Sequence, residues 1–177
     1  MIAKTPFDNP LQVLRDCHRR IETFMTALVR LNGVAKGAAI SGEDREALRT
    51  ALRYFREAVP KHTEDEEVSL FPRLRRQKDS RLLPVLARIE SLEEEHVCCD
   101  RIHGELDAIG RLWLKEGSLP SPEASQLFAL TAQQRDVYRH HLAIEEDEVF
   151  PAAATALAES EIRALANELA YRWGSLP

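Results

Sequence analysis

The sequence predicts an all-α protein, an up-and-down antiparallel four-helix bundle with a short fifth helix at the C-terminal end. Apolar residues recur at intervals of three and four along four long segments, and the segments joining them are short. Alternation of apolar and polar residues, which is typical of strands, is almost absent. The length of 177 residues suits one core, so we expect a single domain over residues 1–177.

The first predicted helix begins at Pro10, a residue favoured at a first helical position, just after the capping pair Asp8-Asn9. It ends near Asn32, where Gly33 opens a loop over residues 33–41 rich in Gly and Ala. Its inward stripe is predicted to contain Leu11, Leu14, His18, Ile21, Met25 and Leu28.

The second helix is predicted to begin after Ser41, because Asp44 follows three residues later, as in a capping box. Pro60 should kink this helix just before His62. The inward stripe combines apolar and ionisable side chains: Leu48, Leu52, Phe55, Val59, His62 and Glu66.

The third helix is predicted to follow the segment Gln77-Lys78-Asp79-Ser80 and to run to about Lys115, where the segment 116–120 breaks it. Ser121 and Pro122 then open a fourth helix. A short fifth helix is expected from Ser160 to Trp173. The inward residues of the third are Val85, Ile89, Leu92, His96, Cys99, His103, Leu106, Gly110 and Trp113, and those of the fourth are Leu127, Leu130, Gln134, Tyr138, His141 and Glu145.

One phrase, H-x-x-x-E-E-x-x-x-F-P, occurs at residues 62–72 and again at residues 141–151. A His and a Glu four apart stand on one face of a helix. Phe71-Pro72 and Phe150-Pro151 should pack below this face and end or bend the helix. Glu67 and Glu146 are interpreted either as solvated residues or as acceptors for a ligand's hydrogen bond.

The repeat extends to two further histidines, since His18 precedes His62 by 44 residues and His96 precedes His141 by 45. The chain therefore reads as two helical hairpins. Buried carboxylates facing each other repel, and a cation relieves that repulsion. The predicted metal ligands are His18, His62, Glu66, His96, His141 and Glu145. Nitrogen and oxygen donors without thiolate suit iron, and less firmly manganese or zinc.

A competing carboxylate-bridged pattern uses Glu-x-x-His on two helices. Glu93 and His96 have that spacing, but no second copy exists, so this alternative is set aside.

At these residues the chain resembles the hemerythrin-like family, also called the HHE cation-binding domain. The resemblance implies a four-helix bundle around two non-haem iron ions, oxo- or hydroxo-bridged. It implies that His18 and His62 bind one iron and that His96 and His141 bind the other. Glu66 and Glu145 would bridge the two ions.

The chain departs from the oxygen-carrying hemerythrins at Asp100, which stands where they have a further His. Asp100 and Glu22 are each open as metal contacts or as residues that orient a ligand. Tyr138 is open as a partner of a bound oxygen species or of another buried group. His103, two turns from His96, is too far to share its metal, and His140 is expected at the rim.

The expected function is binding or sensing of oxygen, nitric oxide or related small ligands, rather than catalysis. Iron-centre repair or detoxification of peroxide or nitric oxide is the alternative, and a purely structural metal is the third possibility. The net charge of −5 argues against nucleic acid and anionic membranes as partners. The oligomeric state is left open.

The cellular location is predicted from three further features. No apolar run reaches the roughly 20 residues of a membrane span, and the N-terminus lacks the apolar core of a signal peptide. The odd set of Cys17, Cys98 and Cys99 is no disulfide framework. A cytoplasmic protein is expected. The cysteines are interpreted as small buried apolar residues, or alternatively as a redox pair beside the iron.

Overall fold

A computed structural model of the chain describes residues 8–35 and 39–174, and within these ranges the protein is helical and has no strand. Two π-helical segments, Asp65–Leu70 and Glu145–Val149, and a 3-10 turn, Ser80–Leu82, accompany the α-helices. The all-α prediction is confirmed. The α-helices are α1 (Pro10–Asn32), α2 (Gly42–Glu57), α3 (Val59–Glu64), α4 (Phe71–Arg76), α5 (Leu83–Glu116), α6 (Ser121–Ile144), α7 (Phe150–Ala156) and α8 (Glu159–Arg172).

The predicted caps are formed by the expected side chains. The Asn9 side chain accepts a hydrogen bond from the Gln12 backbone N–H at 3.2 Å, and Ser41 Oγ accepts one from the Asp44 N–H at 3.0 Å. These bonds satisfy amides that a helix start leaves without an intrahelical partner. Residues 36–38 of the predicted loop, and residues 1–7, lie outside the described part of the chain.

The predicted interruption before His62 is present. Helix α2 ends at Glu57, Ala58 caps it, and α3 begins at Val59. Pro60 has no N–H to donate to the Arg56 carbonyl, and its ring crowds that carbonyl. The chain therefore breaks one turn before the histidine, as the sequence indicates.

The two Phe-Pro pairs behave differently from the prediction that they end or bend the helix. The backbone widens into a π turn and then continues as α4 and α7. Phe71 donates its N–H to the Glu66 carbonyl, and Phe150 donates to the Glu145 carbonyl, both five residues back. Pro72 and Pro151, which follow these phenylalanines, have no N–H to donate within the turn. Both phenylalanines are fully buried, as predicted.

The described chain divides into two compact units. The first contains the residues up to Arg19, Pro60–Glu94 and those from His141 onward. Its core contains fully buried apolar side chains, among them Leu14, Leu70, Phe71, Leu74, Ile89, Leu92, Val149, Phe150, Ala153, Leu165 and Leu169. No helix among residues 8–35 and 39–174 is long and apolar enough to cross a membrane.

The second unit contains Arg20–Val59 and Glu95–His140. Its α2 and α5 approach closely at Gly110, where a Cβ atom would lie 2.5 Å from Leu52 Cδ1. Trp113, one turn further along α5, is fully buried. Because Gly110 has no side chain, Leu52 can pack directly against α5.

In the first unit, helix α8 is tied to the first π-helical segment by a buried ion pair that the sequence did not predict. Arg172 pairs with the fully buried Asp65 and donates to Ser69 Oγ at 3.2 Å. Trp173 Nε1 donates to the other Asp65 oxygen at 2.7 Å. Burial raises the pKa of Asp65 to about 6, while the Trp173 and Arg172 contacts act in the opposite direction.

Replacing Arg172 with Ala should destabilise the protein by about 3 kcal/mol, because the Asp65 carboxylate stays buried without its cation. The free energy of unfolding, measured by urea at pH 8, checks this. Arg163→Ala is the matched control on the same helix, since the Arg163–Glu159 pair is exposed and worth below about 1 kcal/mol. Equal losses in the two variants would contradict the role given to Arg172.

Candidate metal centre

The six predicted ligands are all buried, and none has more than 7% of its residue surface exposed. They come from different elements. His18 lies on α1, His62 on α3, Glu66 in the first π-helical segment, His96 on α5, His141 on α6, and Glu145 begins the second π-helical segment.

Four of these side chains, all in the first unit, converge: His18, His62, Glu66 and Glu145. Each offers a ligand atom, and these atoms all lie within 4.8 Å of one another. His18 Nε2 lies 3.2 Å from Glu145 Oε2 and 3.9 Å from Glu66 Oε1. His62 Nε2 lies 3.3 Å from Glu66 Oε1. Sequence spacing alone gave the His62–Glu66 pair, and the fold adds His18 and Glu145.

His141, also in the first unit, repeats the same pairing in the second copy of the phrase. Its Nε2 lies 3.3 Å from Glu145 Oε1. The two oxygens of Glu145 therefore face two different imidazoles, those of His18 and His141. A carboxylate placed in this way is suited to bridge two cations.

A hydrogen bond to Nδ1, on the side of the ring away from the buried carboxylates, sets the orientation of the His18 imidazole. Its Nδ1 lies 2.8 Å from Glu146 Oε1, which fixes the ring so that Nε2 faces the two buried carboxylates. The Phe150 ring stacks on the imidazole at 5.3 Å between centroids. Of the two interpretations of Glu146, the structure supports the hydrogen-bond acceptor. Glu67 is half-buried.

The charges of the cluster are strongly coupled. Burial lowers the pKa of His18, but the Glu145 and Glu66 carboxylates outweigh burial and raise it to about 10. Burial raises the pKa of Glu145, and the imidazoles of His141 and His18 reverse this and hold it well below its usual range. Without a metal ion, a proton on His18 provides the positive charge that the carboxylates need.

The donor set fits a metal ion. Both oxygens of Glu145 and the Nε2 of His18 are buried, and among residues 8–35 and 39–174 their mutual contacts and that with His141 are at close ion-pair distances without well-aligned hydrogen-bond geometry. Buried polar atoms without partners are costly in a folded protein. A cation at the point where these lone pairs converge would satisfy them, and nitrogen plus oxygen donors suit iron.

The remaining predicted ligand, His96, lies in the second unit at a buried position of α5, one turn after Leu92 on the same face. The next residue inward on α5 is Cys99, whereas Asp100 is exposed. Glu22 is exposed as well. Neither carboxylate is therefore placed to join a buried metal site.

Tyr138 has a protein partner, as one of the two interpretations held. Its hydroxyl lies 3.0 Å from His103 Nε2, and both side chains are buried in the second unit. Burial lowers the pKa of His103 to about 4 and raises the pKa of Tyr138 well above its usual range. The pair is thus a neutral imidazole and a protonated phenol. His140, in contrast, is exposed.

None of the three cysteines, all in the described part of the chain, forms a disulfide. Cys17 and Cys99 are buried, in keeping with the interpretation as small apolar residues, and burial raises the pKa of Cys99 to about 12. Cys98 is half-buried, with the Arg101 guanidinium 3.9 Å from its sulfur.

A sequence profile of the hemerythrin HHE cation binding domain matches residues 9–153. The matched range includes every predicted ligand, from His18 to Glu145. No curated protein matches the chain significantly.

Acidification should destabilise the second unit through His103. The folded protein protonates this residue only near pH 4, whereas the unfolded chain does so near 6.5. The unfolded state then binds more protons in this interval, so the free energy of unfolding falls as pH drops, by up to about 3 kcal/mol.

Urea unfolding at several pH values, with chelator present, measures this effect. His103→Gln should reduce the loss between pH 6.5 and 4, and the exposed His140→Gln should leave it unchanged. A pH dependence that is identical in wild type and His103→Gln would show that another group is responsible.

Proposed function

The chain belongs to the hemerythrin HHE cation-binding domain family, and we propose that it holds two iron ions and binds or senses oxygen, nitric oxide or a related small ligand. The observation that carries this proposal is the buried convergence of His18, His62, Glu66 and Glu145. Packing alone does not explain why two glutamates and two histidines occupy buried positions where apolar side chains would be expected.

In this proposal His18 and His62 hold one iron, His96 and His141 hold the other, and Glu66 and Glu145 bridge them. Support for His96 comes from the repeat, in which it corresponds to His18. Manganese or zinc would fit the same donors less well.

We also propose that the long helices form the up-and-down antiparallel four-helix bundle of a single domain. Short connections between long helices favour antiparallel neighbours. A cytoplasmic location is proposed as well, on the grounds that Cys17, Cys98 and Cys99 form no disulfide.

A bound iron pair would supply a redox-active centre with affinity for small ligands. The chain's residues contribute orientation, charge and shielding from water. Glu146 holds the His18 ring, Phe150 covers its face, and the near-zero exposure of Glu66 and Glu145 keeps bulk water away from the bridge. Such a rigid, closed arrangement is suited to binding.

Binding is preferred to the alternative roles in iron-centre repair or in detoxification of peroxide or nitric oxide. Those roles drew support from Asp100 as an additional oxygen ligand, and Asp100 is exposed. A metal with a purely structural role would stabilise the fold without responding to oxygen. The response of the bound metal to oxygen separates these possibilities.

Protein purified from iron-replete cells should contain about two iron ions per chain, since two carboxylates and four imidazoles suffice for two coordination spheres. Metal analysis measures the content, and reduction followed by oxygen should change the optical spectrum reversibly. His62→Ala should lose iron and this spectrum. The exposed His140→Ala is the control and should retain both. Full iron content in His62→Ala would contradict the proposed ligand set.

Glu146→Gln should weaken iron binding by about 10- to 100-fold, because a residue that orients a ligand typically contributes that much. Competition with a chromophoric chelator measures the affinity. Asp147→Asn, an exposed neighbour with the same change of charge, is the matched control. If the two variants bind iron equally well, net charge rather than the orientation of His18 accounts for the effect.

A further inference from the structure

The buried Tyr138–His103 pair has the composition of a proton-coupled redox site. The phenol oxygen and His103 Nε2 are 3.0 Å apart, and both residues are more than nine-tenths buried. The imidazole is neutral and can accept a proton, and the phenol holds one. Oxidation of a buried tyrosine requires its proton to leave at the same time, because a phenol radical cation is a very strong acid. The hydrogen bond to His103 provides that route.

An aromatic series extends from this pair toward the surface of the second unit. The Phe55 ring lies 6.3 Å from the Tyr138 ring and 4.9 Å from the His103 ring, between centroids. Tyr54 follows at 5.8 Å from Phe55, and Phe24 at 4.4 Å from Tyr54. Phe55 is buried, whereas Tyr54 and Phe24 are partly exposed. Of these rings, Tyr54 and Tyr138 are the oxidisable ones, and Phe55 contacts both, so an electron would pass from one tyrosine to the other without residing on phenylalanine.

The same tyrosine is close to the metal-site residues along its own helix. Tyr138 and His141 are three residues apart on α6, which runs unbroken from Ser121 to Ile144. Three residues rise about 4.5 Å along a helix and return to nearly the same face. The backbone position of Tyr138 is therefore one helical turn from that of His141, a proposed iron ligand.

We propose that Tyr138 is a one-electron donor to the metal centre, with His103 as its proton acceptor and Tyr54 as the residue that restores it from the surface. This inference rests on the proposed function, since the electron acceptor is an oxidised iron ion at that centre. The substrate class that follows is a small oxidant.

The step balances in electrons and protons. The Tyr138 O–H bond breaks, its proton moves to His103 Nε2, and its electron reduces the oxidised iron by one unit, which leaves a neutral tyrosyl radical and an imidazolium. An electron from Tyr54 then reduces Tyr138, which recovers its proton from His103. Tyr54 releases its own proton to solvent and is restored by a hydrogen atom from a soluble thiol.

A simple structural hydrogen bond between Tyr138 and His103 would predict only a loss of stability in Tyr138→Phe, of about 1 kcal/mol. The decisive readout is therefore the radical itself. It is detected by electron paramagnetic resonance in protein frozen after oxidation, and ring-deuterated tyrosine identifies a tyrosyl signal in the unaltered chain.

The first experiment uses metal-free protein and a soluble ruthenium photo-oxidant with persulfate. A tyrosyl radical should form that shows coupling to an imidazole nitrogen in ¹⁵N-histidine protein. It should disappear in Tyr138→Phe and persist in Tyr171→Phe, a control whose ring is exposed on α8. His103→Gln keeps a hydrogen-bond acceptor but no base, and should shorten the radical's lifetime. The same radical in Tyr138→Phe would overturn the assignment.

The second experiment adds peroxide to the iron-loaded protein. The radical should appear with the same dependence on Tyr138, and Tyr54→Phe should slow its decay in the presence of thiol. Iron-loaded protein that gives no Tyr138-dependent radical would overturn the electron transfer while leaving iron binding intact. Failure of the proposed function is distinguished by metal analysis, because the protein would then contain no iron before peroxide is added.

Discussion

The arrangement of the molecule depends on the placement of two carboxylates, Glu66 and Glu145, in an interior without access to water. Each would be strongly destabilising alone, and together they repel. Imidazoles supply the compensation, since both oxygens of Glu145 face histidine nitrogens. Glu146, outside the cluster, also contributes, because its hydrogen bond to His18 Nδ1 holds the ring with Nε2 facing the two carboxylates. The apolar core of the first unit excludes solvent around this charge.

Local backbone chemistry places those carboxylates. In both copies of the repeated phrase a proline follows a buried phenylalanine, and that proline has no N–H to donate within the turn. The phenylalanine N–H donates to the carbonyl of the buried glutamate five residues back, in a π turn. The glutamate is thus held at its backbone by the same residue that packs beneath the site. In each copy, one backbone hydrogen bond therefore joins the buried glutamate to the phenylalanine that packs below it.

Much of the helical organisation could be predicted from the sequence, because caps and apolar periodicity act over a few residues. Ser41, Asn9 and Pro60 have the predicted effects. The π turns could not be predicted in this way, since neither a capping residue nor the four-residue spacing of His62 and Glu66 reveals the extra residue of a π turn. The sequence leaves the role of Asp100 open, because a position four residues after His96 lies at the edge of the buried stripe; in the structure Asp100 is exposed and Cys99 is buried, as the stripe predicts.

The cluster of predicted ligands could be found for a different reason. Its histidines and glutamates fall at positions of the helices where buried apolar residues are expected. What the sequence could not supply were contacts between residues distant in the chain, such as Arg172 with Asp65, or Glu146 with His18. Those depend on the packed fold.

The i→i+5 bonds carry a consequence for how the chain can vary over evolutionary time. A π turn contains one residue more than an α turn, so losing one residue between Glu66 and Phe71 would restore regular winding and rotate the carboxylate away from its partners by about 100°. The phrase should accept many exchanges of side chain but no change in its length.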